Sequence, residues 1–284
     1  MIYDVIVLGM GPAGLAAAVA ACGRNKKVLL IGNRWEDSPL ARAEKVDNYL
    51  GLPNMTGREM LQIFYNHAQA AGAQMVHGRV ISLMEWEGFM VTVGSEVYQG
   101  KTLVLAPGVV RQAKFPGEQE FLGRGVSYCA TCDGMLYRNK AVAVVGRSKD
   151  APQEANYLKS LGCQVTYIAQ KEPAGLEEGI PVIRSGKVEI KGENAVTSIW
   201  ADGQELPCAG VFILRDAVAS TDLLPALNTQ NGSVVVDREM ATNIPGVFAA
   251  GDCTGAPLQI AKAVGEGHIA GLSAADCSDK IRLQ

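Results

Sequence analysis

Two cysteines, Cys129 and Cys132, stand two residues apart in the stretch CATCDG at residues 129–134, and Asp133 follows them directly. Such a pair can serve as half of a metal site, as a structural staple, or as a dithiol that carries electrons. A structural zinc site would need a second close cysteine pair or a spaced histidine pair. The other five cysteines are isolated, and none of the three histidines lies beside a cysteine. The sequence therefore predicts no metal site.

Composition narrows the class of protein further. The 284 residues are 48% hydrophobic and carry a net charge of −3, which favours folded cores and argues against a general nucleic-acid binder. No apolar run is long enough for a membrane span, and the N-terminus enters a strand-like run without the features of a signal peptide. We therefore expect a cytoplasmic protein. In that compartment a disulfide is normally catalytic or transient.

The elements that must position the pair begin with a nucleotide-binding pattern. Residues 3–8 are an apolar, strand-like run, GMGPAG (9–14) matches GxGxxG, a helix pattern reaches Cys22, and residues 27–31 read as a second strand. In such a βαβ opening the glycines allow a tight turn, backbone approach to a pyrophosphate, and close helix packing. The acid that usually reads a ribose after the second strand is absent, so simple NAD-type recognition is not predicted.

The pattern recurs later in the chain. Residues 141–145 and 164–169 read as strands, with a helix over 151–161 between them, and CATCDG lies just before this second unit. Near the C-terminus, residues 243–252 read as a turn and a buried strand that ends at Asp252, followed by a helix over 259–275. At this position Asp252 is equally suited to hold a ribityl or ribose hydroxyl, or to cap a helix N-terminus.

Together these segments resemble the low-molecular-weight thioredoxin reductases, FAD enzymes of the disulfide reductase class. The segments that carry the resemblance are GMGPAG, VDNYLGLP (46–53), LVLAPG (103–108), GRGVSYCATCDG (123–134) and NIPGVFAAGD (243–252). The resemblance implies an α/β fold of two Rossmann-like, three-layer nucleotide-binding-type domains, the second inserted in the first. The expected parts are an FAD domain from residues 1–112 and 237–284 and an inserted domain from 113–236, with hinges near 111–114 and 236–239.

The resemblance also implies roles for individual residues. Cys132 is expected next to the flavin, Cys129 is expected to attack the disulfide of thioredoxin, and Asp133 is expected to handle protons. Asp133 could instead be a solvated turn residue. The expected FAD contacts are Gly9, Gly11, Pro12, Ala13, Gly14, Asn48, Gly251, Asp252, Gln259 and Ile260. A homodimer is expected from the resemblance alone.

The second βαβ unit departs from the usual family pattern. Where relatives have GxGxxA, this chain has Gly-Arg-Ser-Lys-Asp-Ala over residues 146–151, and Ala-Gln-Lys at 169–171 replaces an HRR run that grips a 2′-phosphate. The side chain of Ser148 and the charge of Asp150 would oppose a pyrophosphate, and no bidentate guanidinium remains at the strand end. These changes predict that the NADPH site is lost. The pattern is similar to the ferredoxin-dependent flavin thioredoxin reductases of clostridia and similar anaerobes.

Other interpretations remain open at this point. The chain could be an NADPH-dependent reductase with a degenerate site, a diflavin oxidoreductase, or a non-enzymatic flavin redox sensor. Trp35 follows the second strand, where relatives have a glycine-rich segment. It could pack near the isoalloxazine ring or anchor a surface loop.

Overall fold

The computed structural model describes residues 1–109, 114–215 and 220–282. Contacts within the chain divide it into two units, one formed by Met1–Val110 with Ala217–Gln284 and the other by Arg111–Asp216. The second unit is therefore inserted in the first, and the predicted α/β architecture is confirmed. No helix among the described residues is long and apolar enough to cross a membrane.

The described strands, in chain order, are β1 (Ile2–Leu8), β2 (Val28–Gly32), β3 (Gln74–His77), β4 (Val80–Glu85), β5 (Phe89–Val93), β6 (Glu96–Leu105), β7 (Val126–Ser127), β8 (Ala141–Arg147), β9 (Gln164–Ala169), β10 (Val182–Arg184), β11 (Val188–Gly192), β12 (Val196–Ala201), β13 (Gln204–Pro207), β14 (Gly210–Arg215), β15 (Thr229–Gln230), β16 (Ser233–Val234) and β17 (Val247–Ala249). The described α-helices are α1 (Pro12–Cys22), α2 (Gly57–Ala70), α3 (Ala130–Asp133), α4 (Ala151–Ser160), α5 (Ser220–Leu223) and α6 (Ile260–Ser278).

The first unit is built on one sheet in the order β3-β2-β1-β6-β5-β4, with β17 also paired to β6. Strands β1, β2, β3, β6 and β17 pair in parallel, whereas β4, β5 and β6 form an antiparallel meander. Val5 and Val7 of β1 share a core with α1 and α6, while Ile6 and Leu8 face a second core on the other side of the sheet. Burial on both faces explains why β1 is an almost continuous apolar run.

Helix α6 lies unusually close to α1. A Cβ atom on Gly267 would stand 2.1 Å from the carbonyl oxygen of Ala13, and one on Gly271 would stand 2.3 Å from that of Ala17. Neither position can therefore carry a side chain without moving the helices apart. This contact fixes the C-terminal helix against the helix that follows the GxGxxG turn.

The second unit has a parallel sheet in the order β10-β9-β8-β14-β7 and an antiparallel sheet in the order β11-β12-β13. Val142 and Val144 of β8 pack towards α4, and Ala143 and Val145 pack towards the antiparallel sheet. The unit therefore has three layers, with the βαβ core close to the bounds that the sequence predicts.

The predicted domain boundaries differ from the division found in the structure. Residues 111–113 of the first predicted hinge lie outside the described residues. The second predicted hinge, 236–239, lies within the first unit, because that unit already begins again at Ala217. Leu224, Leu227 and Val234 are buried in the first unit's core with Ile6. The boundary predicted at 236/237 is therefore too late, since the apolar residues before it cover the first unit's sheet.

Candidate active site

The GxGxxG turn joins β1 to α1 and has the shape that a pyrophosphate requires. Gly9 has φ +123°, and a Cβ on it would lie 2.0 Å from the carbonyl oxygen of Ala106. A Cβ on Gly14 would lie 1.8 Å from the carbonyl oxygen of Gly9, which shows how tightly α1 closes on the turn. Gly11, by contrast, has open space around its Cβ direction. Open backbone before a helix that begins at Pro12 can accept a phosphate group.

A second turn, residues 251–255, lies beside the start of α1. Gly251 has φ +88°, and a Cβ on it would approach the Cβ of Ala13 to 2.8 Å. The turn runs through a short 3-10 helix, Asp252–Thr254, and α6 begins only at Ile260. Asp252 therefore does not stand at the start of α6, and it makes no capping bond there, because Gln259 holds the N-cap position. The helix-capping interpretation of Asp252 is wrong.

An ion pair on α6 holds this turn. The ammonium of Lys262 donates to the carbonyl oxygens of Gly251 and Gly255, both at 2.7 Å, and to Thr254 Oγ1 at 2.8 Å. The carboxylate of Glu266 lies 3.1 Å from that ammonium and accepts from the Gly251 N–H at 2.9 Å. Sequence reasoning missed both residues. Their i, i+4 spacing in the predicted helix indicates an ion pair, but it does not indicate that the pair binds the 251–255 turn.

The electrostatics of the turn also act on Asp252. Burial raises the pKa of the Asp252 carboxyl, the positive charge of Lys262 opposes that shift, and the negative charge of Glu266 reinforces it. A side-chain pair brings together two residues that were predicted separately as FAD contacts. Asn48 Nδ2 donates to Gln259 Oε1 at 2.9 Å. Ile260 follows as the first residue of α6. The predicted residues thus gather at two turns and one side-chain pair of the first unit.

Cys129 and Cys132 form a disulfide in the second unit, with their Cα atoms 5.4 Å apart. Cys129 occupies the N-cap position of α3, where its sulfur accepts a hydrogen bond from the Cys132 N–H at 3.0 Å and lies 3.3 Å from Thr131 Oγ1. In the reduced form, such donors stabilise a thiolate. Cys129 is 5% exposed, whereas Cys132 is exposed. Attack by Cys129 on a protein disulfide therefore requires a change that exposes it.

Asp133 is tied to the redox segment through Ser127. The Ser127 hydroxyl donates to Asp133 Oδ2 at 2.6 Å and accepts from the Cys129 N–H at 3.0 Å. On the other side of Cys129, the Ala130 N–H donates to Glu154 of α4 at 3.2 Å. Asp133 is thus a held, half-buried carboxylate in the same short helix as Cys132. Its expected part in proton transfer stays a prediction.

The remaining cysteines are poor nucleophiles. Burial raises the pKa of the Cys208 thiol to about 12 and that of Cys253 to about 12. Burial also raises the pKa of the thiols of Cys22, Cys163 and Cys277. Because the thiolate is the reactive form, these side chains stay inert near neutral pH.

The turn after β8, where a second nucleotide would be expected, packs against side chains of the same unit. The buried Tyr167 hydroxyl lies 2.0 Å from the position of a Cβ on Gly146. Arg147 donates to the carbonyl oxygen of its neighbour Gly146 at 2.9 Å and lies over the ring of Phe115 at 5.3 Å. The Ser148 hydroxyl is buried and has no hydrogen-bond partner in the described part of the chain.

The strand end beside this turn also offers little to a phosphate. Ala169 ends β9, and the exposed Gln170 and Lys171 follow it. On the neighbouring strand, Arg184 is paired with Glu172, so its charge is already compensated. Within the described residues, this edge presents no arginine pair that could grip a 2′-phosphate as a fork.

Trp35 lies in the first unit's core and is 8% exposed. Its ring lies 6.3 Å from that of Tyr65, and the guanidinium of Arg58 lies over it at 5.9 Å. Tyr65 and Arg58 both belong to α2, so Trp35 fastens its loop to that helix. This packing favours the anchor interpretation.

Comparison with known proteins agrees with this architecture. Residues 3–267 match the family model described as pyridine nucleotide-disulphide oxidoreductase. A thioredoxin reductase from Listeria innocua is 31% identical, over 99% of this chain and 95% of that protein, and one from Aquifex aeolicus is 35% identical, over 88% and 85% respectively. The chain is a member of the thioredoxin reductase family. Family members are FAD-binding flavoproteins, and the geometry of the GxGxxG turn in this reductase fits that cofactor.

Among solved structures, the reductase is similar to a ferredoxin-flavin thioredoxin reductase from Clostridium acetobutylicum, with 38% identity, a TM-score of 0.88 and complete coverage of both chains. It is also similar to a thioredoxin reductase from Gloeobacter violaceus, with 32% identity, a TM-score of 0.79, and coverage of 99% of this chain and 95% of the other. These similarities confirm the two-domain thioredoxin reductase fold.

Proposed function

We propose that this thioredoxin reductase accepts electrons from reduced ferredoxin and passes them through FAD and the Cys129–Cys132 disulfide to thioredoxin. The observation that carries the proposal is the sequence and packing of the turn after β8, residues 146–151, where relatives bind a second nucleotide. There Tyr167 lies against Gly146, Ser148 replaces a glycine, and Asp150 adds a negative charge. The similarity to a ferredoxin-flavin thioredoxin reductase from Clostridium acetobutylicum supports it.

The loss can be expressed as affinity. Each charge-assisted hydrogen bond to a phosphate contributes about 1.5–3 kcal/mol. Two such bonds, missing because Gln170 and Lys171 stand where relatives carry the two arginines of the HRR run, weaken NADPH binding by roughly 10² to 10⁴-fold. Hydride transfer also needs the nicotinamide held about 3–3.5 Å from its acceptor, which depends on that distant anchor. A pyridine nucleotide therefore lacks both the affinity and the positioning that it would need.

Ferredoxin is energetically sufficient as a donor. A plant-type ferredoxin has a potential of about −400 mV and a thioredoxin about −270 mV. The difference of about 130 mV corresponds to roughly 6 kcal/mol for two electrons. FAD supplies the conversion between a donor that gives single electrons and a disulfide that takes two. Gly9, Gly11, Pro12, Ala13, Gly14, Asn48, Gly251, Asp252, Gln259 and Ile260 would hold it.

The chain's own residues carry the later steps. Two electrons and two protons open the Cys129–Cys132 bond to a dithiol. The Cys129 thiolate, stabilised by the Cys132 N–H, attacks the disulfide of thioredoxin and forms a mixed disulfide, displacing one thioredoxin thiolate. Cys132 then attacks Cys129, which releases reduced thioredoxin and restores the intramolecular disulfide. Asp133, held by Ser127, takes up and returns the proton of the attacking thiol.

The test is anaerobic reduction of the purified holoenzyme by separate donors, followed by visible absorption. We expect millimolar NADPH or NADH to leave the oxidised flavin spectrum unchanged over minutes, while reduced ferredoxin bleaches it and supports thioredoxin reduction. Bleaching by stoichiometric NADPH at the rate of turnover would overturn the proposal. Two FAD per chain would indicate a diflavin enzyme, and flavin reduction without thioredoxin turnover would indicate a redox sensor.

A further inference from the structure

The second unit contains a buried carboxylate, Glu118, for which the mechanism above has no use. Its side chain is fully buried and accepts hydrogen bonds from the Phe115 N–H at 2.8 Å, the Tyr128 hydroxyl at 2.9 Å and Arg215 Nη2 at 2.7 Å. Arg215 Nη1 donates to the other oxygen, so the guanidinium grips the carboxylate with two nitrogens. Burial alone would raise the pKa of Glu118, but the bonds from Arg215, Phe115 and Tyr128 outweigh it and hold the pKa below its ordinary value.

The partners of Glu118 come from three separate parts of the sequence. Phe115 lies just after the point where the chain enters the second unit, and Arg215 lies just before the point where it leaves. The guanidiniums of Arg215 and Arg147 both lie over the Phe115 ring, at 5.1 and 5.3 Å. Tyr128 is the residue directly before Cys129. The Glu118 carboxylate therefore connects residues near both ends of the second unit to the residue that precedes Cys129.

Stability alone does not account for this arrangement. Replacing a buried ion pair with apolar residues of similar volume is often neutral or stabilising, so a gain in stability is not by itself a reason for this pair. In some proteins such a pair instead fixes a conformation. Here the side chain whose position the ion pair fixes is that of Tyr128, which donates to Glu118. Cys129 follows Tyr128. The Cys129 N–H donates to Ser127 on the same side as Tyr128, and the Ala130 N–H donates to Glu154 on the other side.

We propose that Glu118 is a positioning residue for the dithiol, which fixes the backbone at Cys129 through the hydroxyl of Tyr128. The proposal rests on Cys129 and Cys132 as the redox pair and holds for any electron donor. A displacement of about 1 Å in a reacting group can cost about 100-fold in rate. Loosening this attachment should therefore slow thiol–disulfide exchange at Cys129 without changing how thioredoxin binds.

The experiment compares Tyr128→Phe, Glu118→Gln and a matched control, Ser198→Ala. Ser198 also donates a hydroxyl to a carboxylate, Glu205, but in the antiparallel sheet. The readouts are kcat and KM for thioredoxin, and the equilibrium of the Cys129–Cys132 disulfide against a dithiol buffer. FAD content and donor-driven flavin reduction are followed in parallel, so that a failure of the donor proposal is recognised separately.

We expect Tyr128→Phe and Glu118→Gln to lower kcat about tenfold with KM within about twofold, as expected when only the transition state loses an interaction. We also expect the disulfide to become about tenfold easier to reduce, a shift of about 30 mV. Ser198→Ala should match the wild type in both. The proposal is overturned if Tyr128→Phe leaves kcat and the disulfide equilibrium unchanged, whatever its effect on Tm. It is also overturned if Ser198→Ala lowers kcat and shifts the equilibrium as much as Tyr128→Phe does. In either case Glu118 is only structural. Should Glu118→Gln fail to fold, the isosteric Tyr128→Phe decides.

Discussion

The ion pair of Lys262 and Glu266 leads to a prediction about FAD affinity. Replacing Lys262 by methionine keeps the length of the side chain and removes its charge and its donors. The carbonyl oxygens of Gly251 and Gly255 then lose their bonds to the ammonium, and Glu266 keeps only its bonds from the Gly251 N–H and the Thr254 hydroxyl. The turn that carries Asp252 should lose its single conformation. FAD then has to restore that conformation when it binds.

The size of the effect follows from the bonds that are lost. A hydrogen bond to a charged group contributes about 1.5–3 kcal/mol. Lys262 makes three contacts to the turn at 2.7–2.8 Å, but they restrain one short segment and are not independent. Counting one such bond, the ordered turn becomes less stable by about 1.5–3 kcal/mol. FAD affinity then falls roughly 10- to 150-fold, because the cofactor binds the ordered form.

The assay is the dissociation constant of FAD, measured by flavin fluorescence on reconstitution of the apoprotein. The matched control is Lys101→Met, which removes another partly buried lysine of the same unit whose ammonium lies 2.8 Å from Asp4. The control should bind FAD as the wild type does. If Lys262→Met binds FAD within about threefold of the wild type, the turn does not depend on this ion pair and the reasoning is refuted.

Two further predictions concern the second unit. Cys129→Ser should leave the flavin reducible and abolish thioredoxin turnover. Cys132→Ser should trap a mixed disulfide with a thioredoxin variant that lacks its resolving cysteine, and this adduct should be visible on a non-reducing gel. Near-normal turnover by either variant would contradict the mechanism. Because the pKa of Glu118 is lowered on folding, its ionised form stabilises the protein above the ordinary glutamate pKa of about 4.3, and this contribution is lost as the pH falls through the lower, folded-state value. The difference in unfolding free energy between the wild type and Glu118→Gln should therefore shrink in urea titrations as the pH falls below about 4.3. A constant difference would show that Glu118 is not the group responsible.

Local patterns predicted the elements that carry the site. The GxGxxG turn, each βαβ unit and the cysteine pair each lie within about 30 consecutive residues. Hydrophobic periodicity, glycine spacing and strand length are therefore sufficient to find them. The strand predicted over 164–169 is found at those bounds. The sequence also marks the second nucleotide-type turn as unusual, because Ser148 and Asp150 are local departures from the family pattern.

What the sequence could not show depends on contacts between distant segments. Glu118 and Arg215 lie 97 residues apart, and neither is marked by any local motif. The late boundary has a similar cause, since the apolar pattern of Leu224, Leu227 and Val234 indicates burial but not which sheet they cover. Asp252 is different. Gly255 and Pro257 follow it, and both are signals that a helix does not begin there.

The second unit also explains why a nucleotide-type fold persists after its nucleotide turn has changed. Helix α4, which begins at that turn, supports the redox segment: Glu154 accepts from the Ala130 N–H, and a Cβ on Gly134 would lie 2.9 Å from the side chains of Leu158 and Leu161. Helix α4 and the sheet beneath it are therefore required to hold the dithiol, whatever the electron donor. In the turn itself, Gly146 is required by its contact with Tyr167. On this reasoning, substitutions at Asp150, whose side chain makes no capping bond to α4, should be tolerated, while substitutions on the α4 face towards α3 should not.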